Sequence, residues 1–168
     1  MTSPRAVLIG PPGSGKSTIG RLLAGRLGAG FRDTDEDVEA VAGKPVSDVF
    51  VEDGEERFRE LEAEAVRRAL AEHDGVLSLG GGAILREATR ELLAGHPVVY
   101  LQVGLADAVQ RVGLAQARPL LVLNPRSQLK RLMEERRPVY ERLASLIVAT
   151  DGRTPEEITD EIVKGLPA

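Results

Sequence analysis

Gly10-Pro-Pro-Gly-Ser-Gly-Lys16-Ser17-Thr18 is the stretch whose residue types and spacing most directly imply chemistry. The apolar run Ala6–Ile9 precedes it and an amphipathic run from Ile19 to Leu27 follows, so the order is strand, glycine-rich loop, helix. In that context the pattern G-x-x-x-x-G-K-[ST] is a polyphosphate cradle. Glycines let backbone N–H groups turn inward, and the N-terminus of the new helix adds its partial positive charge. Gly13, Ser14 and Gly15 with Lys16, Ser17 and Thr18 are then the phosphate-binding residues. Lys16 reaches the β/γ-phosphates and the Ser17 hydroxyl ligates Mg²⁺. The bland alternative is a tight Gly/Pro turn joining a strand to a helix.

Two carboxylates, Asp33 and Asp35, fall where the second strand should end, on the same sheet edge as the loop. A carboxylate there can hold the water shell of Mg²⁺ or accept a proton from an acceptor hydroxyl. The competing reading is an Asp-x-Asp cap on the next helix. Gly80, Gly81 and Gly82 also follow a strand, and backbone without side chains can approach a ligand closely. That strand carries Ser78 and no aspartate, which leaves the metal role to Asp33. Arg59 lies beside the buried stripe of its helix, where its simplest use is an i,i+4 pair with Glu55. Arg136 is expected at a helix end before Arg137-Pro138-Val139-Tyr140, where a cation suits the helix dipole. Arg118, followed by Pro119, sits in an irregular stretch where a lid could bring an arginine onto a transferring phosphate. The apolar run Pro119–Leu123 fits a packed strand as well. His73 and His96 stand alone and are expected at the surface with no role.

Apolar runs alternate with helical patterns along the whole chain, which is the signature of βαβ units around a parallel sheet. Strands are expected at 5–9, 31–32, 76–79, 98–101 and 146–149. Helices are expected at 16–27, 36–42, 46–50, 54–72, 86–93, 105–112 and 126–136, with a last one opening at the capping box Thr154-Pro-Glu-Glu157. Asp53 is the expected N-cap of the long helix, and Gly43 the expected left-handed end of the helix at 36–42. In such folds ligands sit at the carboxyl ends of the strands.

The chain has 168 residues, of which 42% are hydrophobic and 29% charged, ordinary values for one globular domain with a real core. A net charge of −4 argues against nucleic acid as the main partner. Eight Lys or Arg nevertheless fall between Arg111 and Arg142, which suits anion handling at one place. With no cysteine, disulfides, thiol catalysis and Cys-ligated metals are excluded. No run approaches membrane-spanning length and the first strand starts at once, so neither a membrane anchor nor a leader is expected and the cytoplasm is the default.

Taken together these residues resemble the shikimate kinase family. The resemblance rests on Gly10–Ser17 with Thr18, Asp33-Thr-Asp35, Asp53-Gly54 with Phe58-Arg59 and Glu62, Leu79-Gly-Gly-Gly82, Arg118-Pro119-Leu120-Leu121, and Arg136-Arg-Pro138-Val-Tyr140, in order along essentially the whole chain. It implies that Lys16 contacts the phosphates, and that Ser17 binds Mg²⁺ with Asp33 and Ser78 in its outer shell. Asp35 would hold the substrate's ring hydroxyls, Arg59 and Arg136 its carboxylate, and Gly80, Gly81 and Gly82 would line its ring. Lys16, Asp35 and Arg118, the lid arginine, form the implied catalytic set. Arg111 and the segment Arg153–Pro155, with Arg118, match positions where the family holds the nucleotide. An aspartate and two arginines beside a γ-phosphate site call for a ligand with both hydroxyls and a carboxylate, and a guanidinium pairs with a carboxylate in a way a lysine cannot.

The expected fold is α/β: a three-layer αβα P-loop kinase fold with a five-stranded parallel sheet in the order 2-3-1-4-5 and a mobile lid. A single domain over 1–168 would have its core at 1–34, 74–111 and 126–168, its substrate-binding region at about 35–62 and its lid at about 112–125. The expected reaction is transfer of the γ-phosphoryl group of MgATP to the 3-hydroxyl of shikimate by a cytoplasmic monomer, with no nucleic-acid or membrane partner. The nearest rival is a gluconate-kinase-like enzyme; a nucleotide kinase lacks anything to read a second base. A nucleotide-dependent switch of the small GTPase kind would want an N-K-x-D element after a strand, which this chain lacks.

Overall fold

The computed structural model describes residues 2–115 and 125–167. Five parallel strands form one sheet: β1 (Ala6–Ile9), β2 (Phe31–Asp33), β3 (Val76–Ser78), β4 (Val98–Gln102) and β5 (Leu146–Ala149). Their order across the sheet is β2-β3-β1-β4-β5. The central strand, β1, pairs on both sides, with Val7 opposite Leu77 and Val98. All four of its residues are buried, as a strand covered on both faces requires.

The alternation of side chains along the strands divides the core into two layers. Val7, Ile9, Leu77, Leu79 and Tyr100 join one cluster with α4 (Glu55–Glu72), α5 (Glu87–Leu93) and α7 (Pro125–Leu143). Ala6, Leu8, Val76, Val99, Leu101 and Val148 join the other, against α1 (Lys16–Leu27) and α8 (Pro155–Gly165). Outside the sheet, α2 (Thr34–Ala42), α3 (Val46–Asp53) and the first half of α4 close around Val38, Val49 and Phe58. A fourth cluster of Val103, Ala108, Leu129 and Met133 joins α6 (Leu105–Ala115) to α7.

Several elements depart from the expected boundaries, each for a visible reason. Asp33 caps α2 with its own carboxylate, so that helix starts at Thr34 and takes in Asp35. Asp53 does not cap α4. It is the last residue of α3, its carboxylate lies 2.9 Å from Lys44 Nζ, and α4 begins after Gly54 at φ +89 with no side-chain cap. The expected helix end at Arg136 is also overturned: α7 continues through Pro138 to Leu143. Proline there has no N–H to give the preceding turn, at a cost of about 3 kcal/mol. The burial of Tyr140, stacked 5.0 Å from Tyr100, and the packing of Val139 and Leu143 on the same cluster offset it. Arg136 is therefore a mid-helix residue, not a cation at a dipole's end.

Other local expectations hold. The Thr154–Glu157 capping box is closed by reciprocal bonds of 3.1 and 3.2 Å, and Gly43 ends α2 in the left-handed region. His73 does have a use: its Nε2 lies 3.2 Å from the carbonyl of Gly30 and 3.0 Å from that of Val76, tying together the starts of β2 and β3. Arg118, the run Pro119–Leu123 and most of the expected lid lie outside the described residues; α6 reaches Ala115 and α7 resumes at Pro125.

Candidate active site

The carboxyl ends of β1, β2 and β3 meet in one corner. The loop from β1 to α1 is shaped by glycine, with Gly13 at φ +83 and Gly15 at φ +90, a region that side-chain-bearing residues rarely enter. It is pressed against the end of β4: a Cβ at Gly10 would lie 2.8 Å from the Leu101 carbonyl oxygen. Lys16 Nζ bridges the loop, donating to the carbonyls of Gly10 (2.8 Å) and Pro11 (3.1 Å) and to Ser14 Oγ (3.4 Å). The ammonium is thus folded back over the loop.

Asp33 serves two neighbours, one with each oxygen. Its Oδ1 accepts the Asp35 N–H at 2.8 Å, and its Oδ2 accepts the Ser17 hydroxyl at 3.4 Å. The cap and the ligand readings of this residue are therefore compatible. Ser78 stands beside it as its register partner across the β2–β3 pair. A hydroxyl and a carboxylate make a hard oxygen pair that fits Mg²⁺, which takes one or two protein oxygens and completes its shell with phosphate and water. No cluster of three or more His, Cys, Asp or Glu able to hold a metal exists among the described residues.

Burial pushes the Asp33 carboxyl up from 3.8 to about 6, helped by the neighbouring charges of Asp35 and Glu36 and opposed by the Asp35 N–H and by Lys16. Because the folded protein holds this proton more tightly than the unfolded chain, the ionised carboxylate weakens the fold above pH 6. The penalty is relieved as pH falls toward 4. Asp33→Asn keeps the oxygen that caps α2 and removes the charge. It should raise Tm at pH 8 by several degrees, corresponding to about 1–3 kcal/mol, and the gain should shrink at pH 5. A melt of the variant that shows no gain at pH 8 would contradict the assignment.

The two expected substrate arginines come from distant elements and meet at one glycine turn. A Cβ at Gly82 would lie 2.5 Å from both Nη atoms of Arg59, and one at Gly81 would lie 3.4 Å from Nη1 of Arg136. Neither arginine extends into bulk water: the Arg59 side chain is 11% exposed and Arg136 is 6% exposed. Arg59 is held on α4 by Glu62 at 2.7 Å, more closely than by Glu55 at 3.7 Å, and its guanidinium lies over the Phe58 and Phe50 rings. Gly80 turns its N–H to the buried Thr34 hydroxyl at 3.3 Å, linking the ends of β3 and β2. Asp35 is half-buried in the first turn of α2, next to this link.

On the other side of the phosphate loop, Arg111, Arg153 and Pro155 line a cavity of about 190 Å³ together with Ser14, Gly15 and Thr18. Arg111 Nη1 donates to the Gly13 carbonyl at 2.8 Å, and Arg153 to that of Ala149 at 2.8 Å. Sequence reasoning quoted Glu62 and Tyr140 but assigned them no role, and it passed over Thr34. For Glu62 the signal was present: it lies three residues after Arg59 on one helix, hence on the same face. Nothing local marks Thr34 or Tyr140, whose partners are glycines far away in the chain.

The shikimate kinase family model matches residues 12–167. A shikimate kinase from Thermobifida fusca is 62% identical over 165 residues, covering 98% of this chain and 96% of the relative. One from Streptomyces coelicolor is 60% identical over 159 residues, covering 95% and 93%. Among solved structures, shikimate kinase from Acinetobacter baumannii in complex with shikimate superposes with a TM-score of 0.92 at 33% identity, covering 98% of this chain and 92% of that one. Shikimate kinase from Aquifex aeolicus gives 0.83 at 32% identity, covering 95% and 94%.

Proposed function

This chain belongs to the shikimate kinase family and is a kinase, and we propose that it transfers the γ-phosphoryl group of MgATP to the 3-hydroxyl of shikimate, giving shikimate 3-phosphate and ADP. The observation that carries the site reading is the pair of guanidiniums from α4 and α7 that adjoin Gly82 and Gly81, at the sheet edge that also holds the phosphate loop.

Phosphoryl transfer asks a protein mainly for positioning and for charge stabilisation. Lys16 and the amides of Gly13, Ser14 and Gly15 bind the phosphates, and the cavity beside Arg111, Arg153 and Pro155 takes the base. Ser17 and Asp33 are the residues that would hold Mg²⁺, whose contribution when bound is to neutralise phosphate charge. Arg59 and Arg136 grip the carboxylate of the acid, Glu62 fixes Arg59, and Gly80–Gly82 lie along the ring. Asp35 orients the attacking hydroxyl and is the carboxylate placed to take its proton. Arg118 is assigned to the transferring phosphate. We also read the protein as a cytoplasmic monomer with no nucleic-acid or membrane partner; no helix among the described residues is long and apolar enough to cross a membrane.

A coupled ADP-release assay tests the reaction. Turnover with shikimate and none with gluconate is the expected result, and turnover with gluconate alone would replace this reading with its nearest rival.

A further inference from the structure

All three carbonyls of the Gly80–Gly82 turn and one of its three N–H groups are engaged. Gly80 N–H donates to Thr34 Oγ1, the Gly80 carbonyl accepts the Ala83 N–H at 3.0 Å, and the Gly82 carbonyl accepts the Leu85 N–H at 3.1 Å. The Gly81 carbonyl accepts the Tyr140 hydroxyl at 2.6 Å, within the core. Two donors remain: among the described residues the N–H groups of Gly81 and Gly82 have no hydrogen-bond partner. Both glycines are buried, and buried amide donors are rarely left so. They lie in the corner where Arg59 and Arg136 end.

A trans peptide is planar, so the carbonyl of one residue and the N–H of the next point in opposite directions and turn together. Among the described residues no peptide bond is cis. Whatever holds the Gly81 carbonyl therefore aims the Gly82 N–H. Without side chains on either flank, that peptide would otherwise flip readily. The Tyr140 hydroxyl is the group that holds it. Tyr140 also lies one helical turn beyond Arg136 on α7, on the same face, so one contact registers both the guanidinium and the amide against the turn. The ring is fixed in its turn by Tyr100, 5.0 Å away at an interplanar angle of 24°.

We infer that Tyr140 is a positioning residue for the acid substrate: through the Gly81 carbonyl it aims the Gly82 N–H, and through α7 it sets Arg136, so that donors from backbone and side chain converge on one ligand. The inference rests on the shikimate reading of the site. It makes no claim that Tyr140 touches the substrate.

Tyr140→Phe keeps the ring, its volume and its stacking partner, and removes only the hydroxyl. Tyr100→Phe is the matched control, since it removes a hydroxyl from the same stacked pair without touching the glycine turn. Steady-state kinetics with shikimate and ATP, with a thermal melt, separate the cases. Tyr140→Phe should raise the KM for shikimate on the order of tenfold, about the effect of one misaimed buried hydrogen bond, with the KM for ATP within twofold of wild type. Tyr100→Phe should leave both KM values unchanged. A KM for shikimate within twofold of wild type in Tyr140→Phe, or an equal rise for both substrates, overturns the inference while the wild-type reaction stands. Failure of the wild type itself to use shikimate overturns the functional reading instead. Should Tyr140→Phe not fold, Thr34→Val loosens the same turn from the Gly80 side, and an unchanged KM for shikimate there also counts against the inference.

Discussion

Replacing Lys16 with alanine should lower kcat by about 10²–10³-fold while the fold persists, the loss expected when one preorganised donor to developing negative charge is removed. Lys16 sits at the start of α1, partly exposed, and no core cluster depends on it. Its ammonium is already folded back over the loop, on the carbonyls of Gly10 and Pro11 and on Ser14 Oγ. Neutral carbonyls are weak competitors for a cation when a phosphate arrives, so the side chain can exchange them for ligand oxygens without crossing the site. The KM for ATP should rise less than kcat falls, because backbone amides and the cavity near Arg111 continue to bind the nucleotide. A circular-dichroism melt close to wild type together with a near-normal kcat would mean that Lys16 only braces its own loop.

The second large effect is expected at Arg136. Arg136→Ala should raise the KM for shikimate about 100-fold, as loss of a bidentate, charge-assisted pair implies, and change kcat far less. Arg136 is buried and ends beside Gly81, so its charge has already been removed from water and its fork is oriented before the acid binds. Arg136→Lys should recover only part of the loss, because an ammonium cannot make two parallel bonds to a carboxylate. An unchanged KM for shikimate in Arg136→Ala would assign the residue to α7 packing alone. The Arg59 site differs in that Glu62 and the rings of Phe50 and Phe58 restrain the guanidinium. Part of any Arg59→Ala effect would therefore reflect a buried Glu62 left without that partner.

The phosphate loop was legible from one short, contiguous stretch, whereas shikimate as acceptor came from a resemblance carried by motifs spread from Gly10 to Tyr140. A polyphosphate cradle is made by consecutive backbone amides, so its residues must also be consecutive in the chain, and the Gly10–Thr18 run shows them directly. The strands followed from apolar runs alternating with helical periods, their order from the fold that the resemblance implies, and the Thr154 capping box from a four-residue pattern whose partners are three residues apart. Where a competing local preference was read instead, boundaries moved. Asp53 looked like a cap because acidic residues crowd the turn after it, but Lys44 drew its carboxylate away. Pro138 looked like a helix stop because proline removes a bond, but a buried tyrosine stack outweighed that bond.

From residue order and type alone came the loop that binds phosphate and the strands of the parallel sheet, since each rests on neighbours within a turn or a strand; the acid with hydroxyls was implied by the family resemblance of motifs far apart in the chain. Folding supplied the rest. It set Arg59 and Arg136 against the same glycines, gave Asp33 a carboxyl that titrates near 6, and laid the Tyr140 hydroxyl on the Gly81 carbonyl. These properties arise from contacts between segments far apart in the chain and from the loss of water around them, and neither distance across the core nor desolvation is written in any local pattern.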